Sequence, residues 1–195
     1  MSAKRALDLA LSSLGLVAAL PVLAAIALAM RLGGDRGPFL YRAVRVGEGG
    51  SRIVVLKVRT MAAGTGGAGV TGPRDPRVTP LGRFLRRHRL DELPQLVNVV
   101  RGEMSLVGPR PEDPRFVDWS DPIHERVFRA KPGITGLAQL AFHDEAARLS
   151  GPDIEERYRR EILPAKLRLD VEYLERRSTL LDLEILARTA RTILS

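Results

Sequence analysis

Twenty-two consecutive residues without a charge, Leu9 to Met30 (LALSSLGLVAALPVLAAIALAM), constrain this chain more than any other feature. As one straight helix they would reach about 33 Å at about 1.5 Å per residue, enough to cross a bilayer core. Lys4 and Arg5 precede the run; Arg31 and Arg36 follow it, with Arg42 and Arg45 beyond. Three readings compete. A cleaved signal peptide fits the basic start and the small residues Ala25, Ala27 and Ala29, but Asp8 at the head of the run and the length of the run weigh against it. A spanning helix is the simplest reading, yet it places one of two basic flanks outside, against the positive-inside bias. A hairpin that bends at Pro21 and returns keeps both flanks in the cytoplasm, since proline removes an N–H from the ladder and permits a kink. The residues alone leave spanning helix and hairpin evenly balanced, because spanning helices also tolerate proline.

Composition sets the remaining bounds. With 45% hydrophobic residues, the 195-residue chain has the means to bury a core, which rules out wholesale disorder. The absence of cysteine removes disulfides, thiolate metal sites and cysteine nucleophiles together. Lys+Arg number 31 against 23 Asp+Glu, a net +8, and the excess is uneven. Met1 to Arg110 holds 17 basic and 7 acidic residues, Pro111 to Ser195 14 and 16. Only four of the basic residues, Lys4, Lys57, Lys131 and Lys166, are lysine. Arginine presents a planar fork of donors matched to phosphate oxygen, so a basic first half suits nucleic acid, anionic lipid or a nucleotide.

Beyond the apolar run, Gly33-Gly34 and Gly37-Pro38 mark an exit, and Phe39 to Val46 and Ile53 to Val58 read as a β-hairpin across Gly47-Glu48-Gly49-Gly50. Met61 to Gly72, with five glycines and no charge, reads as a mobile loop. Thr79-Pro80 opens a helix with Thr as N-cap and Pro at its first position, loaded with Arg83, Arg86, Arg87 and Arg89. Asp91-Glu92-Leu93-Pro94 is expected to start a second helix with apolar Leu93, Leu96, Val97 and Val100, stopped by Gly102. Ser105 to Pro111 is expected to be extended, and Lys131-Pro132-Gly133 a rigid turn. From Asp153 the pattern is helical with a break near Pro164, and a last amphipathic helix starts at Ser178 or Thr179, where Thr179 and Asp182 fit a capping box.

His88, His124 and His143 form no zinc-binding pair, and no Walker A or GxSxG sequence is present. What remains is the block Arg83 to Arg110. Its centre is the adjacent pair Asp91-Glu92, with arginines on the preceding turn and Arg110 in a Pro-rich segment downstream. Helix dipole and guanidinium groups favour ionised carboxyls, so both are expected to be anionic. An ionised aspartate can attack phosphorus, and a neighbouring glutamate can hold Mg²⁺. The competing explanation is an N-cap aspartate with a first-turn glutamate, which needs no function.

The stretch Arg83-Phe84-Leu85-Arg86-Arg87, then Leu90 to Pro111 (LDELPQLVNVVRGEMSLVGPRP), resembles the signature of bacterial sugar transferases, the monotopic phosphoglycosyl transferases that begin glycan assembly on polyprenyl phosphate. Lys57-Val58-Arg59-Thr60-Met61, Lys131 to Gly136 and Leu169 to Tyr173 resemble further family segments. The resemblance implies an enzyme that transfers a sugar phosphate from a UDP-sugar to undecaprenyl phosphate, releasing UMP through a covalent phosphosugar, as the first membrane step of exopolysaccharide or other glycan assembly. It implies Asp91 as nucleophile, Glu92 as Mg²⁺ ligand, and Arg59, Arg86, Arg110 and Pro111 as substrate-binding residues. It also tips the contest over the apolar run towards the hairpin. The expected architecture is α+β: residues 1–36 a re-entrant, helix-break-helix membrane segment, and 37–195 a mostly helical catalytic domain with a small β-hairpin. It is expected to lie on the cytoplasmic face of the inner membrane and to resemble a minimal relative without extra transmembrane helices. The expected partners are a UDP-sugar, undecaprenyl phosphate and the membrane, with no nucleic acid; a homo-oligomer is left open. The alternative is a non-catalytic, membrane-anchored module that binds polyprenyl phosphate or anionic lipid. Two departures from the family pattern stand out. Leu20 precedes Pro21 where many relatives carry Ser, and Leu137 to His143 (LAQLAFH) differs from the usual continuation, which leaves the sugar open.

Overall fold

The computed structural model describes residues 3–65, 70–72, 75–145, 149 and 153–194, so part of the expected Gly-rich loop, residues 66–69, lies outside the described residues. The apolar run forms α1 (Ala3–Leu32), a 30-residue helix long and apolar enough to cross a membrane. Its backbone stays helical through Pro21 where a break was expected. Proline removes one bond from the ladder, and the turns on either side keep theirs.

Both ends of α1 are tied to the same body. Near its start, Lys4 pairs with Asp182 (2.7 Å) and donates to the Val107 carbonyl, while Arg5 donates to the carbonyls of Val99 (2.6 Å) and Val100 (2.9 Å). Asp8 is buried and accepts the Leu106 N–H (3.0 Å) and the Ser105 hydroxyl (2.8 Å). Near its end, Ile26 and Met30 pack with Val58 and Leu85. Between these attachments Leu14, Val17 and Leu20 stay exposed.

The expected hairpin is present: β1 (Leu40–Val46) and β2 (Arg52–Val58) pair antiparallel from Leu40 opposite Val58 to Val46 opposite Arg52. The connection turns through Gly49 and Gly50, both with positive φ, which glycine adopts without steric cost. In α2 (Pro80–Arg87), Thr79 caps as expected, accepting the Gly82 N–H at 2.9 Å. The next helix departs from expectation. Leu90–Glu92 is a 3-10 turn, and α3 (Gln95–Arg101) starts only after Pro94, because proline has no N–H to continue the ladder. Gly102 ends α3 in the left-handed region, as expected.

β3 (Ser105–Val107) pairs in parallel with β4 (Gly133–Thr135), which replaces the expected rigid turn at Gly133. The two chains cross so closely that a Cβ on Gly133 would lie 2.1 Å from the Gly108 nitrogen. α4 (Pro122–Phe128) lies between these strands in sequence, and α5 (Leu137–Ala141) follows β4. The C-terminal helical stretch comprises α6 (Ile154–Arg157), a π-helical turn over Tyr158–Ile162, α7 (Leu163–Arg176) and α8 (Thr179–Leu194). The break expected near Pro164 takes the form of that π-turn, next to the residue that lacks an N–H. The Thr179–Asp182 capping box is not formed. Ser178 Oγ accepts the Leu181 N–H instead, and Asp182 turns inward to Lys4 and the Tyr173 hydroxyl. One apolar cluster joins the hairpin to α3, β3 and α8 through Ala43, Val55, Val99, Val107 and Ile185. A second lies under α4 and α7 around Phe116, Val127, Phe128 and Leu167.

Candidate active site

A cavity of about 670 Å³ opens between the hairpin, the Leu90–Glu92 turn, the segment after β3, α5 and the start of α7. Nine Lys or Arg side chains and five Asp or Glu side chains line it, so its field favours an anion. Asp91, Glu92, Arg59, Arg86, Arg110 and Pro111 all reach its wall. These residues come from four separate segments, and the chain brings every one of them to a single space.

Asp91 and Glu92 are both buried, on the 3-10 turn. The preceding residue, Arg89, has φ +52°, the only positive φ among described non-glycine residues. A bulky side chain in that region is strained, and such strain collects at functional sites. Its consequence here is that the Arg89 guanidinium returns to the pair, 3.9 Å from Glu92 Oε2, while its other nitrogen donates to the Gln139 carbonyl.

Glu92 is the more heavily partnered carboxylate. Lys57 Nζ lies 2.7 Å from its Oε1 and Arg110 Nη2 lies 3.4 Å from the same oxygen. Burial works against its ionisation, but Lys57, Arg110 and Arg89 outweigh burial and hold it well below the usual carboxylate range. Asp91 moves the other way. Burial pushes it up and the adjacent Glu92 charge adds to the rise, opposed by Lys57 and Arg86. Two neighbouring carboxyls expected to be alike are therefore separated by their surroundings, a division of acid strength typical of reactive pairs.

Arg86 is anchored by its Nε on the Thr60 hydroxyl (2.8 Å), and its charge acts on Asp91. α2 can approach β2 this closely because residue 82 is glycine; a Cβ there would lie 2.1 Å from the Thr60 carbonyl oxygen. Arg59 lines the same cavity with its donors committed to Asp35 (2.6 Å), the Pro38 carbonyl and the Met61 carbonyl, which ties the exit of α1 to the strand end. Among the described residues no three His, Cys, Asp or Glu side chains converge as a metal cage. A Mg²⁺ held by one or two carboxylates together with substrate phosphates needs no such cage. Glu92 Oε2 suits that mode, since its ion-pair partner Arg89 stands off at 3.9 Å.

Lys57 and Arg89 carried no assignment from sequence, although both pair with Glu92. One signal did exist: in a chain that otherwise uses arginine there are four lysines, and each pairs with a carboxylate, Lys4 with Asp182, Lys57 with Glu92, Lys131 with Glu48 and Lys166 with Glu145.

The profile of the bacterial sugar transferase family matches residues 1–195. The chain belongs to that family. An undecaprenyl-phosphate glucose phosphotransferase of Komagataeibacter xylinus is 40% identical over 200 residues, covering 98% of this chain and 36% of that protein. A UDP-glucose:undecaprenyl-phosphate glucose-1-phosphate transferase of Caulobacter vibrioides is 38% identical over 197 residues, 98% of this chain and 70% of its own length. A UDP-N-acetylgalactosamine-undecaprenyl-phosphate N-acetylgalactosaminephosphotransferase of Aeromonas hydrophila is 34% identical over 197 residues, 98% of this chain and 44% of its own. The chain thus spans less than half of the first and third relatives, and these family members differ in the sugar their names carry.

Proposed function

We propose that this chain transfers a sugar 1-phosphate from a UDP-sugar to undecaprenyl phosphate, as an opening membrane step of glycan assembly such as exopolysaccharide synthesis. The observation that carries the reading is the buried Asp91 beside an ionised Glu92 in an arginine-lined cavity. An Asp91 oxygen attacks the phosphorus that bears the sugar, the bond to the bridging oxygen breaks, and UMP leaves with that oxygen. An oxygen of undecaprenyl phosphate then attacks the same phosphorus and releases Asp91, leaving a lipid-linked diphosphate sugar. Phosphoryl transfer of this kind needs mainly positioning and charge neutralisation, which Arg86, Arg89, Arg110 and Lys57 supply. Pro111 stiffens the segment that presents Arg110. Glu92 would hold Mg²⁺, whose contribution when bound is neutralisation of the donor diphosphate.

In the same reading α1 enters the cytoplasmic face of the inner membrane and returns to that face, its continuous helix bending at Pro21, where one ladder bond is missing. Support comes from its two ends, both tied to one body, with an exposed apolar stretch between them. Cysteines placed before Lys4 and after Leu32 should both be labelled from the cytoplasm; labelling of either one from outside refutes same-side insertion. For the chemistry, Asp91→Asn should abolish both UMP release and the covalent phosphosugar, and Glu92→Gln should weaken the Mg²⁺ dependence together with the rate. Wild-type-like turnover by Asp91→Asn refutes the mechanism. Binding of undecaprenyl phosphate by the wild type with no UMP release from any UDP-sugar would instead identify a lipid-binding module.

A further inference from the structure

The cavity has a second group of charged residues that the transfer chemistry does not use. Lys166, from the first turns of α7, is 3% exposed and donates to Glu145 Oε2 and to the Tyr158 hydroxyl, both at 2.8 Å. Tyr158 in turn donates to Glu112, and Lys166 stands 4.9 Å from the Tyr158 ring centre. Tyr158 begins the π-helical turn, a form that costs helix regularity and recurs at functional sites. Replacing such a buried ionic group with packed apolar side chains commonly leaves a fold as stable or more so, so stability alone is a weak reason for it. All four residues border the cavity.

One member of the group is left open to the cavity. The Glu145 side chain is 27% exposed, and Lys166 holds only its Oε2. Oε1 accepts no hydrogen bond from a described residue, and Phe142 and His143 of the same segment line the wall beside it. The Arg110 charge acts on both Glu92 and Glu145, and so does that of Arg89, which puts Glu145 within electrostatic reach of the arginines that serve the Asp91-Glu92 pair. A carboxylate in that position repels a phosphate and accepts strongly from a hydroxyl. An aromatic wall next to it offers an apolar surface to the C–H face of a sugar ring.

We propose that Glu145, oriented by Lys166, is a specificity-determining residue that hydrogen-bonds hydroxyl groups of the hexose in the donor. This rests on the sugar-phosphate transfer proposed above and names the part of the cavity that chooses the sugar. Lys166 acts as a positioning residue through Glu145.

The test compares the full-length wild type with Glu145→Gln, and with Glu145→Asp should the Gln variant fail to fold. UMP release is measured with UDP-glucose and with UDP-N-acetylgalactosamine, and binding is measured for both and for UDP. Loss of a hydrogen bond to a charged group predicts about tenfold or greater weakening for the preferred UDP-sugar, mainly in KM, with UDP affinity unchanged. The ratio between the two sugars should narrow. Equal losses for UDP and UDP-sugars, a fall in kcat alone, or an unchanged ratio each overturn the inference. A wild type that binds UDP-sugars without releasing UMP refutes the transfer reaction, and the binding comparison then still decides Glu145. A wild type that binds neither overturns both.

Discussion

Lys57→Met should separate the two carboxyls of the site. Lys57 Nζ is 2.7 Å from Glu92 Oε1, and its charge is the largest force opposing the effect of burial on Asp91. At an effective dielectric near 20, opposite unit charges about 4 Å apart attract by ~4 kcal/mol, and by ~2 kcal/mol at twice that distance. Glu92 keeps Arg110 at 3.4 Å and Arg89 at 3.9 Å after the substitution, so it stays ionised. Asp91 keeps the weaker pull of Arg86 and a backbone hydrogen bond. Loss of the Lys57 charge therefore raises the Asp91 pKa further. The nucleophile is the ionised form, so a raised pKa removes it over a wider acid range. The acid limb of UMP release, followed at saturating UDP-sugar from pH 5 to 9, should move to higher pH, and the rate below it should fall by about tenfold or more. Lys57→Arg restores the charge and should return the limb most of the way. A limb at the wild-type position with only a lower plateau would refute this account, since Lys57 would then act on the substrate and not on Asp91.

Two further substitutions test the fold that carries the site. Asp8→Ala removes the acceptor of the Leu106 N–H and the Ser105 hydroxyl, buried bonds to a charged group that should cost about 3 kcal/mol or more and lower the melting temperature in detergent by roughly 6 °C or more; a melting point equal to that of the wild type would show that α1 is not docked there. Asp170 is buried with Oδ1 unpartnered, and burial, opposed by Lys166, pushes its carboxyl up to about 8. The folded form therefore holds a proton that the unfolded form gives up above about pH 4, so this residue lowers stability by about 1.4 kcal/mol per pH unit between pH 5 and 7. Asp170→Asn should remove that slope, so its stability relative to the wild type should grow with pH in denaturant titrations; a difference independent of pH contradicts the assignment.

Local signals were legible where the chemistry was local. Thr79-Pro80 marked the start of α2, Gly102 the end of α3, and two β-type runs around a Gly-rich turn the hairpin, because capping, positive φ and strand propensity are decided by a few adjacent residues. The parallel pairing of β3 with β4 was not legible, since its partners lie 28 residues apart and the crossing depends on two glycines meeting backbone to backbone. Asp182 shows the same limit. Its spacing from Thr179 fits a capping box, but a lysine 178 positions away, Lys4, competes successfully for it.

The sequence by itself determined that an apolar segment is framed by basic residues, that arginines surround one Asp-Glu pair, and that the chain resembles the family to which it belongs. Those properties follow from residue type and order. Tertiary structure decided the rest: that Asp8 anchors the apolar helix, that Lys57 and not Arg59 reaches Glu92, and that Asp91 and Glu92 move in opposite directions. Charge strength depends on burial and on distances between segments remote in the chain, and only the folded molecule fixes those.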